Sequence, residues 1–215
     1  DFLLFSNSPP VQWTRNGKGY GIKDDFSANL KPDAYGKFAD FMADVAKHFS
    51  DEGYNIRYIS PINEPQVNWN ASYNQEGSPW LAPEIAKVFR ELDRAMTERN
   101  IYATTKPAYW ENPEDEKYPN YMVRKFFSPD SELYLGGLKH MPKTIAGHSY
   151  HTHKTSEEIR DVRNKVREEC QKYGVEFQQT EWCLLPHYGP KNHDCFSADW
   201  FSDNKADIQT ALLMA

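Results

Sequence analysis

Apolar positions fall along this chain in two alternating rhythms: short continuous runs, and stripes spaced three and four residues apart. The opening run Phe2-Leu3-Leu4-Phe5 predicts a strand. Tyr35, Phe38, Met42, Val45 and Phe49 then recur at helical steps, so a helix is expected over 32–49, with Pro32 in a first turn where its missing N–H costs nothing. A nearly continuous apolar stretch over 55–63 predicts the next strand. Ile85, Val88, Phe89, Leu92 and Met96 then place a second helix over 83–99. Residues 101–105 read as a short strand, 110–120 as a polar, acidic loop, and the stretch up to Phe127 as a weak helix or loop. Another short strand covers 144–148. Thr155-Ser156-Glu157-Glu158 has capping-box spacing, Ile159, Val162, Val166 and Cys170 form the stripe of the helix that follows, and Gly174 can stop it. A strand over 175–181 leads through a long loop to an apolar helical stretch over 208–215.

Strand followed by helix, repeated without any recurring motif, predicts an α/β fold in which helices cover parallel strands. Pattern alone leaves an open sheet and a closed barrel both standing. Neither GxGxxG nor GxxxxGK[ST] occurs, so the common nucleotide-binding forms of an open sheet lack their signature and a (β/α)8 TIM barrel gains by elimination. The sequence begins inside a strand and stops inside an uncapped helix. We therefore expect residues 1–215 to be one incomplete domain of a longer chain, which leaves a signal peptide beyond the sequence's reach.

Composition narrows the partners. Against 25 basic residues stand 31 acidic ones, a net charge of −6 with no basic stripe, so nucleic acid is not an expected ligand. No long uncharged apolar run is present, and no membrane span is expected. Six of the aromatic residues are tryptophans, and Trp13, Trp69, Trp80 and Trp110 sit among Gly, Pro and Asn in predicted loops. Flat faces there suit sugar stacking; packing is the ordinary alternative for each, and Trp13 and Trp69 have the better position for a ligand. Cys170, Cys183 and Cys195 are odd in number and match no zinc spacing, so neither a disulfide framework nor a structural metal is expected, and a Cys183–Cys195 bridge is left unassigned. Nothing calls for a cofactor, and nothing specifies an oligomeric state.

The candidate chemistry lies at strand ends, where barrel enzymes carry it. Ile59-Ser60-Pro61-Ile62-Asn63-Glu64-Pro65 and Phe177-Gln178-Gln179-Thr180-Glu181-Trp182 each end an apolar strand on a glutamate. Each could be a solvated residue opening a loop, but a pair at two strand ends suits cleavage of an acetal. One carboxylic acid protonates the leaving oxygen while the other, as carboxylate, attacks the anomeric carbon, with the two groups about 5 to 5.5 Å apart. Asn63 is then placed to bond a sugar hydroxyl beside the reacting carbon, and Trp182 to floor the same subsite.

Five segments in order carry a resemblance: Ser6-Asn7-Ser8-Pro9-Pro10, Ile59 to Pro65, Gln75-Glu76-Gly77-Ser78-Pro79-Trp80, Gly147-His148-Ser149-Tyr150, and Gln179-Thr180-Glu181-Trp182. Together they resemble family 30 glycoside hydrolases, particularly the endo-β-1,6-galactanase-like branch. The resemblance implies a retaining enzyme on a (β/α)8 barrel, running here from about strand 3 to helix 7, with strands 1, 2 and 8 and any β-rich side domain outside the sequence. It implies Glu64 as acid/base and Glu181 as nucleophile, His148 and Tyr150 on the sugar or on Glu181, Asn7 as a sugar hydrogen bonder, a β-linked polysaccharide or glycoconjugate as substrate, and a secreted or periplasmic location. The region 103–141 departs from the expected strand 5 pattern. Two alternatives stay open: an inactive carbohydrate-binding protein on the same scaffold, and a metal-dependent hydrolase using His148, His151 and His153.

Overall fold

The computed structural model describes residues 1–101, 104–105, 108–110, 120–148 and 156–181. Among the described residues ten main elements follow one another, alternating except where β4 directly follows β3: β1 (Phe2–Phe5), α1 (Tyr35–Asp51), β2 (Ile56–Ser60), α2 (Ala82–Glu98), β3 (Thr104–Thr105), β4 (Ala108–Trp110), α3 (Asn120–Phe127), β5 (Thr144–His148), α4 (Ser156–Tyr173) and β6 (Glu176–Glu181); Pro32 precedes α1 instead of lying in its first turn. Every strand pairing is parallel, in two three-stranded sheets ordered β1-β2-β3 and β4-β5-β6. Spatial order thus follows sequence order, and each strand–helix–strand crossover returns the chain beside its predecessor. Among the described residues the strands form these two sheets rather than a closed eight-stranded wall.

Two differences from the sequence expectation concern residues 101–110. Strand β4 was not anticipated, and it contains Trp110, which was expected in a loop. Its three residues lie next to Pro107 and an acidic stretch, too short a run for any period to register. Helix α3 takes the helical of the two readings left for its segment, and buries Met122, Val123, Phe126 and Phe127.

Helices α1 and α2 form the best-packed layer. Ala39, Ala43 and Ala46 put small side chains along one face of α1, which lets α2 approach with Ile85, Val88, Phe89, Leu92 and Met96, all buried. Trp80 closes the end of this core, stacked on Phe38 and edge-on to Tyr35. Arg99 reaches from α2 to Asp40 and Asp44 of α1, and Arg94 to Asp40, along the solvent side of the same pair.

Two long loops leave the C-terminal ends of β1 and β2 and hold each other. The Asn29 N–H donates to the buried Ser78 Oγ at 3.0 Å, and the Gly77 N–H to the Gly19 carbonyl at 3.0 Å. Asn68 ties in a third point, donating to the Asp25 carbonyl and accepting from the Asp24 N–H. Glu84, in the first turn of α2, accepts both from the Leu81 N–H at 2.8 Å and from the Ala28 N–H at 2.9 Å. One carboxylate therefore serves the helix start and the neighbouring loop together.

Candidate functional site

The ends of β2, β5 and β6 converge on three titratable side chains. Glu64 stands four residues beyond the end of β2 and is 6% exposed. His148 ends β5 at 1% exposure, and Glu181 ends β6 with a side chain 37% exposed. His148 and Glu181 are register partners across the parallel ladder, just past an irregularity between Gly147 and His148 that re-aims the strand end. His148 Nδ1 lies 2.8 Å from Glu64 Oε1 and 3.4 Å from Glu181 Oε2. One ligand-type atom from each of the three lies within 4.8 Å of the others. In the Nδ1–H tautomer His148 donates to Glu64 Oε1, and Glu181 Oε2 lies just beyond that bond at 3.4 Å. That leaves the other Glu64 oxygen free of this bond.

Glu64 is held by an unusual backbone. Its φ of +40° is in the left-handed region that a residue with a side chain adopts at a cost of about 1–3 kcal/mol unless its surroundings impose it. The surroundings do: the Glu64 carbonyl accepts from Trp69 Nε1–H at 3.1 Å and from the Val67 N–H at 3.2 Å, while the Pro65 carbonyl accepts from the Trp80 N–H at 2.9 Å. Trp69 is itself wedged. A Cβ on Gly77 would come within 2.3 Å of its Cγ, and one on Gly21 within 2.6 Å of its carbonyl oxygen, so both positions require glycine for close approach. The clasped loops therefore fix the turn that aims Glu64.

For Trp69 the sequence left packing and ligand stacking both open; in the structure it packs, 5% exposed, with its indole N–H on the Glu64 carbonyl and its ring against Gly77 and Tyr73. Trp13 lies in the short 3₁₀ turn Val11–Trp13, partly buried and edge-on to Phe41 of α1 at 6.0 Å. Asn7 is half-buried just beyond β1, and Asn63 is buried beside Glu64. Tyr150, Trp182, His151, His153, Cys183 and Cys195 lie outside the described residues; Cys170 is buried in α4.

Sequence reasoning missed two features. The link from His148 to Glu64 had no local signal, since it joins residues 84 positions apart. The bracing role of Trp69 was legible only in hindsight, from a tryptophan following Glu64 by five residues and glycines at 21 and 77. Gln66 adds a further oddity: both polar atoms of its side-chain amide are buried without a hydrogen-bond partner among the described residues. Among the described residues no helix is long and apolar enough to cross a membrane.

Comparison with known proteins agrees with this architecture. The family model described as O-glycosyl hydrolase family 30 matches residues 1–194, most of the chain. The crystal structure of a conserved exported protein from Bacteroides fragilis superposes with a TM-score of 0.80 at 28% identity, over 86% of this chain and 39% of that one. The chain thus spans well under half the length of that protein. No curated protein matches it. On the extent of the family match, the chain belongs to O-glycosyl hydrolase family 30.

Proposed function

We propose, with that membership as the premise, that the site performs retaining hydrolysis of a β-linked polysaccharide or glycoconjugate by double displacement, with Glu64 as acid/base and Glu181 as nucleophile. The observation that carries the reading is the approach of the two carboxylates, with oxygen atoms within 4.8 Å of each other. Retaining glycosidases hold their pair about 5 to 5.5 Å apart, whereas inverting ones leave about 6.5 to 9.5 Å for a water. The proposed roles also follow exposure. Glu181, the more open of the two, reaches the anomeric carbon, and the buried Glu64 gives its proton to the departing oxygen. A glycosyl ester on Glu181 results, and Glu64 then takes a proton from the water that releases it.

On this reading the His148 Nδ1–H orients Glu64, leaving the other oxygen of Glu64 to carry the mobile proton, and stands beside Glu181. Asn63, Asn7, Tyr150 and Trp182 bind sugar around the pair. Trp69 braces the Glu64 turn, and Trp13 offers a further aromatic face to the sugar. The parallel strands form part of a (β/α)8 wall, and the solvent-facing Phe2, Leu3 and Phe5 of β1 suit burial against more of it. An endo-β-1,6-galactanase-like specificity and a secreted or periplasmic location complete the proposal. The description of the Bacteroides fragilis protein as exported supports the location.

The test uses the intact protein with β-galactosides and β-1,6-linked galactan, following the first-formed product by proton NMR. The β-anomer is expected first, with Glu64→Gln and Glu181→Gln each slowing turnover by about 10²–10⁴-fold. An α-anomer formed first, or wild-type rates in either variant, refutes the mechanism.

A further inference from the structure

The trio that the hydrolase reading uses for proton and glycosyl transfer has a second chemistry in it. Two carboxylate oxygens and one imidazole nitrogen are a donor set for zinc-type ions, which bind such atoms at about 2.0 to 2.2 Å in a tetrahedron. That bond length sets ligand atoms about 3.3 Å apart. Nδ1 of His148 lies 2.8 Å from one oxygen and 3.4 Å from the other, and all three atoms lie within 4.8 Å. Closing the shell requires side-chain rotations that draw the two carboxylate oxygens to that spacing. His148 and Glu181 are fixed side by side on the β5–β6 ladder, and Glu64 is fixed by its braced turn, so two elements and a clasped loop hold the three donors. Burial of Glu64 and His148 strengthens attraction for a cation, while the Glu181 side chain is 37% exposed.

We propose that Glu64, His148 and Glu181 bind a divalent transition-metal ion of the zinc class, and that this ion switches the hydrolase off by occupying the two carboxylates. Metal binding stands on the side-chain geometry alone; the inhibition rests on the hydrolase reading above. On coordination the Nδ1 lone pair bonds the ion and the proton it carried moves to buffer or to Nε2, while both carboxylates bind ionised. Neither glutamate then retains a proton to donate or a free oxygen aimed at the sugar. Magnesium and calcium prefer six or more oxygen ligands, so a three-donor site with one nitrogen selects against them. Copper should bind more tightly than zinc, and cobalt or manganese more weakly than copper.

The experiment measures zinc binding to the intact protein by competition with a chromophoric chelator, alongside turnover of a β-galactoside. One zinc per site is expected, and turnover should fall in step with occupancy, return with chelator, and ignore equal magnesium. Glu64→Gln and Glu181→Gln, close in shape to the native residues, should each weaken zinc at least about tenfold, as should His148→Ala. The His151→Ala/His153→Ala double variant should keep it. No binding at millimolar zinc, binding unaffected by His148→Ala and both glutamine variants, or loss in the double variant overturns the site. Binding at the trio by a protein that turns over no glycoside in zinc-free buffer upholds the metal site and sinks the hydrolase reading. Turnover without zinc binding does the reverse.

Discussion

Gly77→Ala perturbs the candidate site without touching any group that reacts. Gly77 is not among the positive-φ glycines, so the added methyl acts by volume and not through the backbone. The new Cβ would lie 2.3, 2.6 and 2.7 Å from the Trp69 atoms Cγ, Cδ2 and Cδ1. Carbon atoms rest at about 3.5 to 4.0 Å, so the ring or the Gly77 backbone must move by roughly 1 Å. The Trp69 Nε1 bond to the Glu64 carbonyl, now 3.1 Å, has only about 0.4 Å to spare before it ceases to be a hydrogen bond. Overpacking costs about 1–3 kcal/mol and the lost bond about 1 kcal/mol, so the variant should unfold about 2–4 kcal/mol more easily in urea. A 1 Å error in the Glu64 turn should lower kcat by about 10²-fold. In a Trp69→Ala background the collision partner is gone, and Gly77→Ala should then cost less than about 0.5 kcal/mol. Strictly additive losses in the double variant, or a Gly77→Ala protein with native stability and native kcat, would refute the bracing argument.

Further outcomes follow from the same contacts. His148→Phe keeps a planar ring, somewhat larger, but removes the hydrogen-bond partner of Glu64; with Glu64 buried, urea unfolding should show a loss of about 3 kcal/mol, part of which Glu64→Gln restores. Gln66→Met replaces a buried, unpartnered amide with an apolar chain of similar shape and should raise stability by about 1 kcal/mol in the same assay. Asp25 accepts from the Ser27 hydroxyl and N–H and pairs with Arg15, which holds its carboxyl down to about 2 from an ordinary 3.8. A carboxylate lowered on folding stabilises above the ordinary value and loses that contribution as pH falls from 3.8 toward 2, so the Asp25→Asn protein should show a shallower fall of Tm across that window than the native chain.

The sequence was most legible where burial imposes a period. Tyr35, Phe38 and Met42 of the first stripe and the row from Ile85 to Met96 face one another as α1 and α2, while Phe49 at the end of that stripe is exposed, and strand 144–148 appears at the positions of its apolar run. Short elements were not legible: β4 has three residues, fewer than either period needs, and its strand character comes from pairing with β5. The two strand-end glutamates were visible as motifs, because a carboxylate after an apolar strand stands out. Their convergence and the bridge through His148 were not, since they depend on register between β5 and β6 and on a left-handed turn at Glu64. Trp69 shows the limit most plainly. A tryptophan amid Asn and Gly residues reads equally as a sugar platform or as packing, and glycine at position 77 makes room for it inside the loop, where its indole N–H holds the Glu64 backbone.

The division of labour between the two carboxylates is open to direct chemical trapping. A 2-deoxy-2-fluoro-β-glycoside with a good leaving group, incubated with the intact protein and followed by peptide mass spectrometry, should leave its sugar on the peptide containing Glu181, and the label should vanish in Glu181→Gln. A sugar ester on Glu64 or any other residue, or steady turnover that never accumulates a labelled protein, would contradict the assignment of Glu181 as the attacking group.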